Sequence, residues 1–384
     1  MYKPCVGVLR GGPSSEYSVS LKTGQTVLQH LSAEKYNTRD ILIDKSGAWH
    51  LRGMPIEPAR ALDQVDVVFN ALHGAYGEDG TVQRMLDTHG VRYTGSGALG
   101  SGIAMNKVLT KRHLARSMQT STDDAEQDDP FEEWGIRNRA SLGRYAPRFF
   151  NHRISQSARY LQEHRTTRNT QHARPAVVDT PFIFPADVVI LHDECTEEVL
   201  RDVLQRLSLP FVVKPATGGS SIATSVVSSF DDFLYAVLLA FEHAPQVLVE
   251  QFVRGREVTV AVVEDFRDEE LYAFPPIEIR PTKSAYFDYA EKYEGHAEEL
   301  CPAPLPSEVT KQLLTSARNV HRTLGLRDYS RSDFILGVDG LYFLEVNTLP
   351  GLTPSSLLPK ALEAVGATMP YFLEHVTTRA LARR

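Results

Sequence analysis

Cysteine is scarce in this chain: of 384 residues only Cys5, Cys195 and Cys301 carry thiols, far apart and without the spacing of metal ligands. That excludes a disulfide framework or a thiolate metal centre and leaves reduced, structural thiols. A basic surplus is also missing. The net charge of -7 argues against a general nucleic-acid binder, whose affinity rests on Lys and Arg, although a local basic patch stays open. No run of 18 apolar residues occurs, so no membrane span and no membrane partner are expected. The start, MYKPCVGVLRGG, lacks the basic stretch, apolar core and cleavage site of a secretory signal, and the expected location is the cytoplasm. Internal repeats are absent. What is present, 42% hydrophobic and 23% charged residues, suits an ordinary globular protein long enough for two or three domains.

Over the first hundred residues apolar stretches alternate with helical ones: 6–10, a helix from about Val19 to Leu31, 39–44, 65–72, a helix through Val82 to His89, then 91–95. This alternation predicts a parallel sheet flanked by helices, with ligands at the carboxyl ends of its strands. The glycine turns at Gly11 and Gly12, 73–80 and 95–102 fall at those ends. From 119 to 180 the pattern breaks down: an acidic opening is followed by nine Arg and no Lys between Arg137 and Arg174. Without sustained apolar periodicity, an insertion that is partly disordered or loosely helical is expected.

Regular patterning resumes at 188–191. A helix is predicted from Thr196, which caps its free amides, to about Leu207. Strands at 210–215 and 224–227, a helix from Asp231 to Phe241, and a strand pair 246–252 and 257–264 around Gly255 complete a small α+β unit containing a hairpin. The last part offers a long loop at 281–304, a helix at 307–324, a hairpin and a C-terminal helix. The expected domains are 1–118, 119–180, 181–265 and 266–384, in an α/β and α+β fold.

The richest chemistry lies in RSDFILGVDGLYFLEVNTLPGLTPSS (331–356). Glu345 and Asn347 flank Val346 in the period-2 pattern of a strand and face one side. Arg331 and Asp333 repeat that geometry on the neighbouring strand. Three hard oxygen ligands, Asp333, Glu345 and Asn347, suit Mg²⁺ holding nucleotide phosphates, and point to an ATP-using enzyme. Acids also decorate exposed hairpin faces with no further role. Lys214 ends an apolar strand before the turn Gly218, Gly219, Ser220, Ser221, where a lysine can pair with phosphates and amides can wrap them. A plain surface turn reads the same way, and no Walker loop is present, since no G-K-[ST] follows the glycines. Glu250 and Glu257 bracket Gly255, either as ribose ligands of a nucleotide site or as solvated acids at a hairpin end.

Taken together, GGPSSEYSVSLKTG (11–24), HGAYGEDG (73–80), the YTGSG and AMNK pieces of 93–107, VVKPATGGSS (212–221), VLVEQFVRGREVTVA (247–261), YFDYAEKY (286–293), YSRSDFIL (329–336) and YFLEVNTLPGLTPSSL (342–357) stand in the order found in D-alanine:D-alanine ligases. The chain resembles that family, part of the ATP-grasp superfamily, over nearly its whole length except 119–180. The resemblance implies an ATP-grasp fold with an N-terminal Rossmann-like domain and a cytoplasmic, homodimeric ligase of cell-wall synthesis. Its cofactors would be ATP and two Mg²⁺ ions, with Mn²⁺ able to substitute.

The resemblance also implies residue roles. Lys107, Lys214 and Lys292 would meet the phosphates, and Glu250, Gln251, Val253 and Glu257 the adenosine. Asp333, Glu345 and Asn347 would hold metal, while Arg331 and the Gly351 amide would stabilise the oxyanion. Glu16 and His73 would take the first D-alanine, and Ser356 and Leu357 the carboxylate of the second. Glu16, Ser220 and Tyr293 would form a hydrogen-bonded trio. Glu16 also fits a helix start, His73 a turn and Tyr293 a core aromatic. Where the family has Val-Gly after the serines this chain has Ile222 and Ala223, a less permissive backbone. Lys292 and Tyr293 favour the dipeptide reaction over D-alanine:D-lactate ligation, and the intact triad, Arg331 and phosphate lysines argue against a non-catalytic nucleotide-binding regulator.

Overall fold

The computed structural model describes residues 2–119, 182–281 and 297–383. The 119–180 expectation therefore lies outside the described residues, apart from its first position. Lys292 and Tyr293 lie outside them as well.

The first sheet is built from β1 (Cys5–Gly11), β2 (Asn37–Ile43), β3 (Trp49–Leu51), β4 (Met54–Pro55), β5 (Val67–Asn70) and β6 (Arg92–Tyr93) in the order β4-β3-β2-β1-β5-β6. Helices α1 (Tyr17–His30), α2 (Pro58–Leu62), α3 (Thr81–Thr88), α4 (Ala98–Met105) and α5 (Lys107–Gln119) accompany it. The run β2-β1-β5-β6 is parallel, as the alternation predicts, and β3 and β4 add an antiparallel edge. Val6, Val8 and Leu9 of the central strand are fully buried, the mark of a strand covered on both faces. Chain order reverses between β1 and β5, and ligands settle at such a switch point. Ser20 fixes this corner: its hydroxyl accepts from the Gly11 amide at 2.8 Å and donates to the Ala71 carbonyl at 2.8 Å.

The second sheet, β7 (Asp187–Leu191), β8 (Phe211–Pro215), β9 (Ser225–Val227) and β10 (Gln246–Gln251), is antiparallel in the order β7-β10-β8-β9. Helices α6 (Glu197–Arg206) and α7 (Phe230–Phe241) cover one face, burying Leu200, Val203, Phe233 and Val237 against Phe211, Val213 and Val249. Thr196 caps α6 as expected, accepting from the Val199 amide at 3.3 Å.

The third sheet comprises β11 (Gly255–Phe266), β12 (Glu269–Ala273), β13 (Ile277–Pro281), β14 (Ala297–Leu300), β15 (Tyr329–Gly337) and β16 (Leu341–Asn347), with α8 (Ser307–Thr323), α9 (Leu357–Ala364) and α10 (Met369–Ala382). Its order is β14-β13-β11-β15-β16, with β12 also on β11. Two expectations need correction. Strands 246–252 and 257–264 do not pair with each other: β10 lies inside the second sheet and β11 inside the third. Gly255 thus starts a strand in a new sheet, and a boundary at 265 cuts through β11. The reason is that the apolar residues of the two strands belong to different cores: Val247 and Val249 of β10 pack under α6 and α7, while Ala261 and Val263 of β11 pack with Val8 and Phe372. Residues 297–300, expected in a loop, form β14 on the edge beside β13. Finally, α10 returns to the first sheet, with Phe372, Leu373 and Val376 sharing one core with Val6, Val8 and Val27.

Candidate active site

The hairpin of β15 and β16 places Arg331 opposite Asn347 and Asp333 opposite Glu345, with a register irregularity just after Asp333. Non-polar neighbours such as Phe334 and Phe343 turn into the core, so the period of two turns the polar set to one face. Arg331 donates twice to Asp333, at 2.9 Å from Nε and 2.9 Å from the terminal nitrogen. The Thr259 hydroxyl on β11 donates to the same carboxylate at 2.5 Å. Burial works against the charge of Arg331, but Asp333, with Glu345 and Glu78 behind it, raises its pKa above the ordinary value.

Lys107 opens α5 beside the loop after β8, where its backbone amide donates to the Ala216 carbonyl at 2.9 Å. Its ammonium lies 3.2 Å from Glu345 and donates to the Gly218 carbonyl at 2.6 Å. Lys214, on β8, is paired with Glu250 on β10, which also meets Lys111 of α5. Glu250 is 2% exposed, so the alternative of a solvated hairpin acid is excluded. Burying such a charge costs several kcal/mol. Burial pushes its carboxyl up, and Lys214 and Lys111 bring it below the usual range.

At the switch point Ser14 donates to the His73 carbonyl at 2.6 Å, and Glu16 accepts a hydrogen bond from the Ser220 hydroxyl. Two members of the expected trio are thus in contact. Glu16 is the N-cap residue of α1, as a helix-start acid would be, but makes no side-chain cap and gives its carboxylate to Ser220 instead. His73 is buried, 2.8 Å from the Thr23 hydroxyl and 3.5 Å from Glu78, whose carboxylate accepts from the Gly74 amide at 2.9 Å. A Cβ at Gly351 would lie 2.7 Å from Ser356 Oγ, so a side chain there would displace that hydroxyl. Ser356 and Leu357 stand at the amino end of α9, where helix amides attract a carboxylate.

These residues line two cavities. One, of about 780 Å³, carries Glu16, His73, Arg331, Gly351, Ser356 and Leu357. The other, of about 330 Å³, carries Lys214, Glu250, Gln251 and Val253 beside the apolar Val212, Ile335 and Leu344. Lys107, Gly218, Glu257, Asp333 and Glu345 belong to both walls. Every expected site residue among those described is therefore at one of the two cavities. The loop between them departs from ordinary backbone: Ser220, Ser221 and Ala223 have φ of 56°, 55° and 53°, left-handed conformations that cost a side-chain-bearing residue about 1 kcal/mol or more each. Ala223 is strained where a glycine would not be.

Among the described residues no three of His, Cys, Asp and Glu converge as a metal cage. Two carboxylates and the amide of Asn347 nevertheless fit a hard cation that takes its remaining oxygens from phosphate and water. Sequence reasoning missed Glu78, Thr23, Thr259 and Lys111. Glu78 sits in the glycine-rich turn with His73, and Lys111 follows Lys107 by one helical turn, so both had a signal. Thr259 had none, being brought to Asp333 only by strand pairing.

The sequence matches the family models described as D-ala D-ala ligase N-terminus, over residues 5–59 and 50–96, and D-ala D-ala ligase C-terminus, over residues 184–378. The chain belongs to the D-alanine–D-alanine ligase family. A D-alanine–D-alanine ligase of Geotalea uraniireducens (strain Rf4) is 33% identical over 377 residues, covering 98% of this chain and 95% of the relative. One of Nitratidesulfovibrio vulgaris (strain DP4) is 35% identical over 372 residues, covering 94% and 93%. Among solved structures, D-alanyl-alanine synthetase A of Vibrio cholerae superposes with a TM-score of 0.72 at 25% identity over 100% of both chains. The VanG D-Ala:D-Ser ligase of Enterococcus faecalis gives 0.73 at 24%, covering 99% of this chain and 100% of the other. These neighbours have the ATP-grasp fold, and the family is one of ATP-dependent ligases that need a divalent metal. Among the described residues no helix is long and apolar enough to cross a membrane.

Proposed function

We propose that this chain joins two molecules of D-alanine through an acylphosphate, with the larger cavity as the amino-acid site and the smaller as the nucleotide site. Membership of the family makes it an ATP-dependent ligase forming D-alanyl-D-alanine for peptidoglycan synthesis. The observation that carries the residue assignment is the shared wall, where Lys107, Asp333 and Glu345 stand between the two cavities.

In this reading purine lies in the apolar slot of Val212, Ile335 and Leu344, with Glu250, Gln251 and Val253 lining it and Glu257 at the ribose. Lys107 and Lys214 neutralise phosphate oxygens, a task shared with Lys292. Asp333, Glu345 and Asn347 would hold two Mg²⁺ ions, replaceable by Mn²⁺, and the metal supplies charge neutralisation at the transferring phosphoryl group. Glu16 anchors the ammonium of the first D-alanine, with His73 held nearby by Thr23 and Glu78. The carboxylate oxygen of this first D-alanine attacks the γ-phosphorus, the bond to ADP breaks, and D-alanyl phosphate forms. The second D-alanine, its carboxylate at Ser356 and Leu357, attacks the acyl carbon through its amine. Arg331 and the Gly351 amide stabilise the resulting oxyanion. Collapse expels phosphate, the nitrogen gives up its proton, and the peptide bond remains. Glu16 and Ser220, already in contact, would form a hydrogen-bonded trio with Tyr293. The protein works as a homodimer in the cytoplasm, on small molecules and not on nucleic acid.

The fold leaves acceptor choice open, since a D-Ala:D-Ser ligase shares it. Phosphate release and product chromatography decide. Turnover is expected with ATP, a divalent metal and D-alanine, giving D-alanyl-D-alanine. Equal turnover with L-alanine, or a preference for D-lactate or D-serine as acceptor, would overturn the assignment.

A further inference from the structure

Helix α5 carries two lysines one turn apart, and they point to different tasks. Lys107 stands on the wall between the cavities. Lys111 lines neither cavity; its side chain is 7% exposed and meets Glu250, Asp187 at 3.1 Å and the Pro185 carbonyl at 3.4 Å. Glu250, with its side chain 3% exposed, is held from one side by Lys111 and from the other by Lys214. Two lysines and two acids, Glu250 and Asp187, therefore form a neutral group, of which Lys214 and Glu250 reach the nucleotide cavity.

We propose that Lys111 is a positioning residue for nucleotide binding: it neutralises Glu250 from behind and so frees Lys214 to turn from that carboxylate to phosphate. This rests on the reading of Lys214 as a phosphate ligand. A buried carboxylate stripped of its only counter-ion is strongly disfavoured. Were Lys214 the only cation on Glu250, its transfer to phosphate would leave such a group, and ATP would compete against it. With Lys111 in place the carboxylate stays paired whichever way Lys214 points. Lys111 thus sets nucleotide affinity without touching nucleotide.

A double-mutant cycle tests this by isolating the coupling between the two side chains. The affinity of the full chain for AMP-PNP with Mg²⁺ is measured by titration calorimetry for the wild type, Lys111→Met, Glu250→Gln, the double variant, Lys111→Arg and Lys214→Met, alongside melting temperatures. Lys111→Met is expected to weaken binding by about tenfold, the scale of one charged hydrogen bond. In the Glu250→Gln background, where no buried carboxylate holds Lys214, the same change should be worth less than twofold. Lys111→Arg should retain most of the affinity, and the KM for D-alanine should stay within twofold of wild type in the Lys111 single variants. If Lys111→Met does not fold, Lys111→Gln takes its place in the cycle. A folded Lys111 variant with unchanged AMP-PNP affinity, or an equal loss in both backgrounds, would show a merely structural tie between α5 and β7. Unchanged binding in Lys214→Met would overturn the proposal through its premise, by removing Lys214 from the phosphate site.

Discussion

Two acids on the wall between the cavities are answered by cations: Asp333 by two hydrogen bonds from Arg331, and Glu345 by Lys107 at 3.2 Å. Lys214 is likewise spent on Glu250. Phosphates arriving with a metal would exchange these partners, the lysines turning to phosphate and the carboxylates to metal, so that neutrality is kept. Removing an acid breaks that exchange at the step where charge is transferred. Glu345→Gln or Asn347→Ala should lower kcat by at least about 100-fold, while nucleotide still binds through Lys214 and the apolar slot. Steady-state kinetics with calorimetry check this, and near wild-type turnover in both variants would make the hairpin face decorative. This polar set was legible because a period of two is local. The identity of its partners was not: Thr259 is 74 residues from Asp333, and only the pairing of β11 with β15 unites them.

At the scale of elements, the third sheet is held by charge as well as by backbone bonds. Glu278 of β13 accepts from Arg256 of β11 at 2.7 Å through both oxygens and from Arg280 at 2.9 Å. Arg256 first of all, then Arg280, working against burial, bring its carboxyl from 4.5 down to about 2. A carboxyl depressed in the folded state stabilises it above the unfolded value. Here that contribution is full above about pH 4.5 and is lost as pH falls through about 2. Glu278→Gln should therefore lower the urea midpoint at neutral pH and narrow its difference from wild type near pH 2. A difference that does not change with pH would remove the ion pair as its cause. The strands and helices read from their periods lie within two residues of the expected ends, whereas the short strands β3, β4, β12 and β13 and the helices α2, α4, α5 and α9 were not read at all. The β10 and β11 reading failed because two strands joined by a short turn usually pair, and here apolar faces on both sides draw them into different sheets.

For the whole molecule, the segment between the two family matches is the main departure. The matches end at residue 96 and resume at 184; within that interval Lys107 lines both cavities, while 120–181 lies outside the described residues. We propose that residues 119–180, which carry none of the ordered motifs, stand outside the catalytic machinery. Replacing 122–176 with a short Gly/Ser linker should leave ligase turnover within about threefold of wild type, because loop-closure entropy changes slowly with length. Loss of turnover in a variant with an unchanged melting temperature would show instead that the segment serves the site.

By itself the sequence determined the alternation that makes the parallel sheet, the Thr196 cap and the polar face of the β15 and β16 hairpin, and its ordered motifs pointed to the family. Each of these depends on neighbours a few residues apart or on motif order, which a linear text preserves. Only the tertiary structure decided which sheet claimed β11, that Glu250 is buried between two lysines, that α10 returns to the core of the first sheet, and that two cavities share one charged wall. Those outcomes turn on which distant apolar faces bury each other, and on whether a charge removed from water finds a counter-ion there.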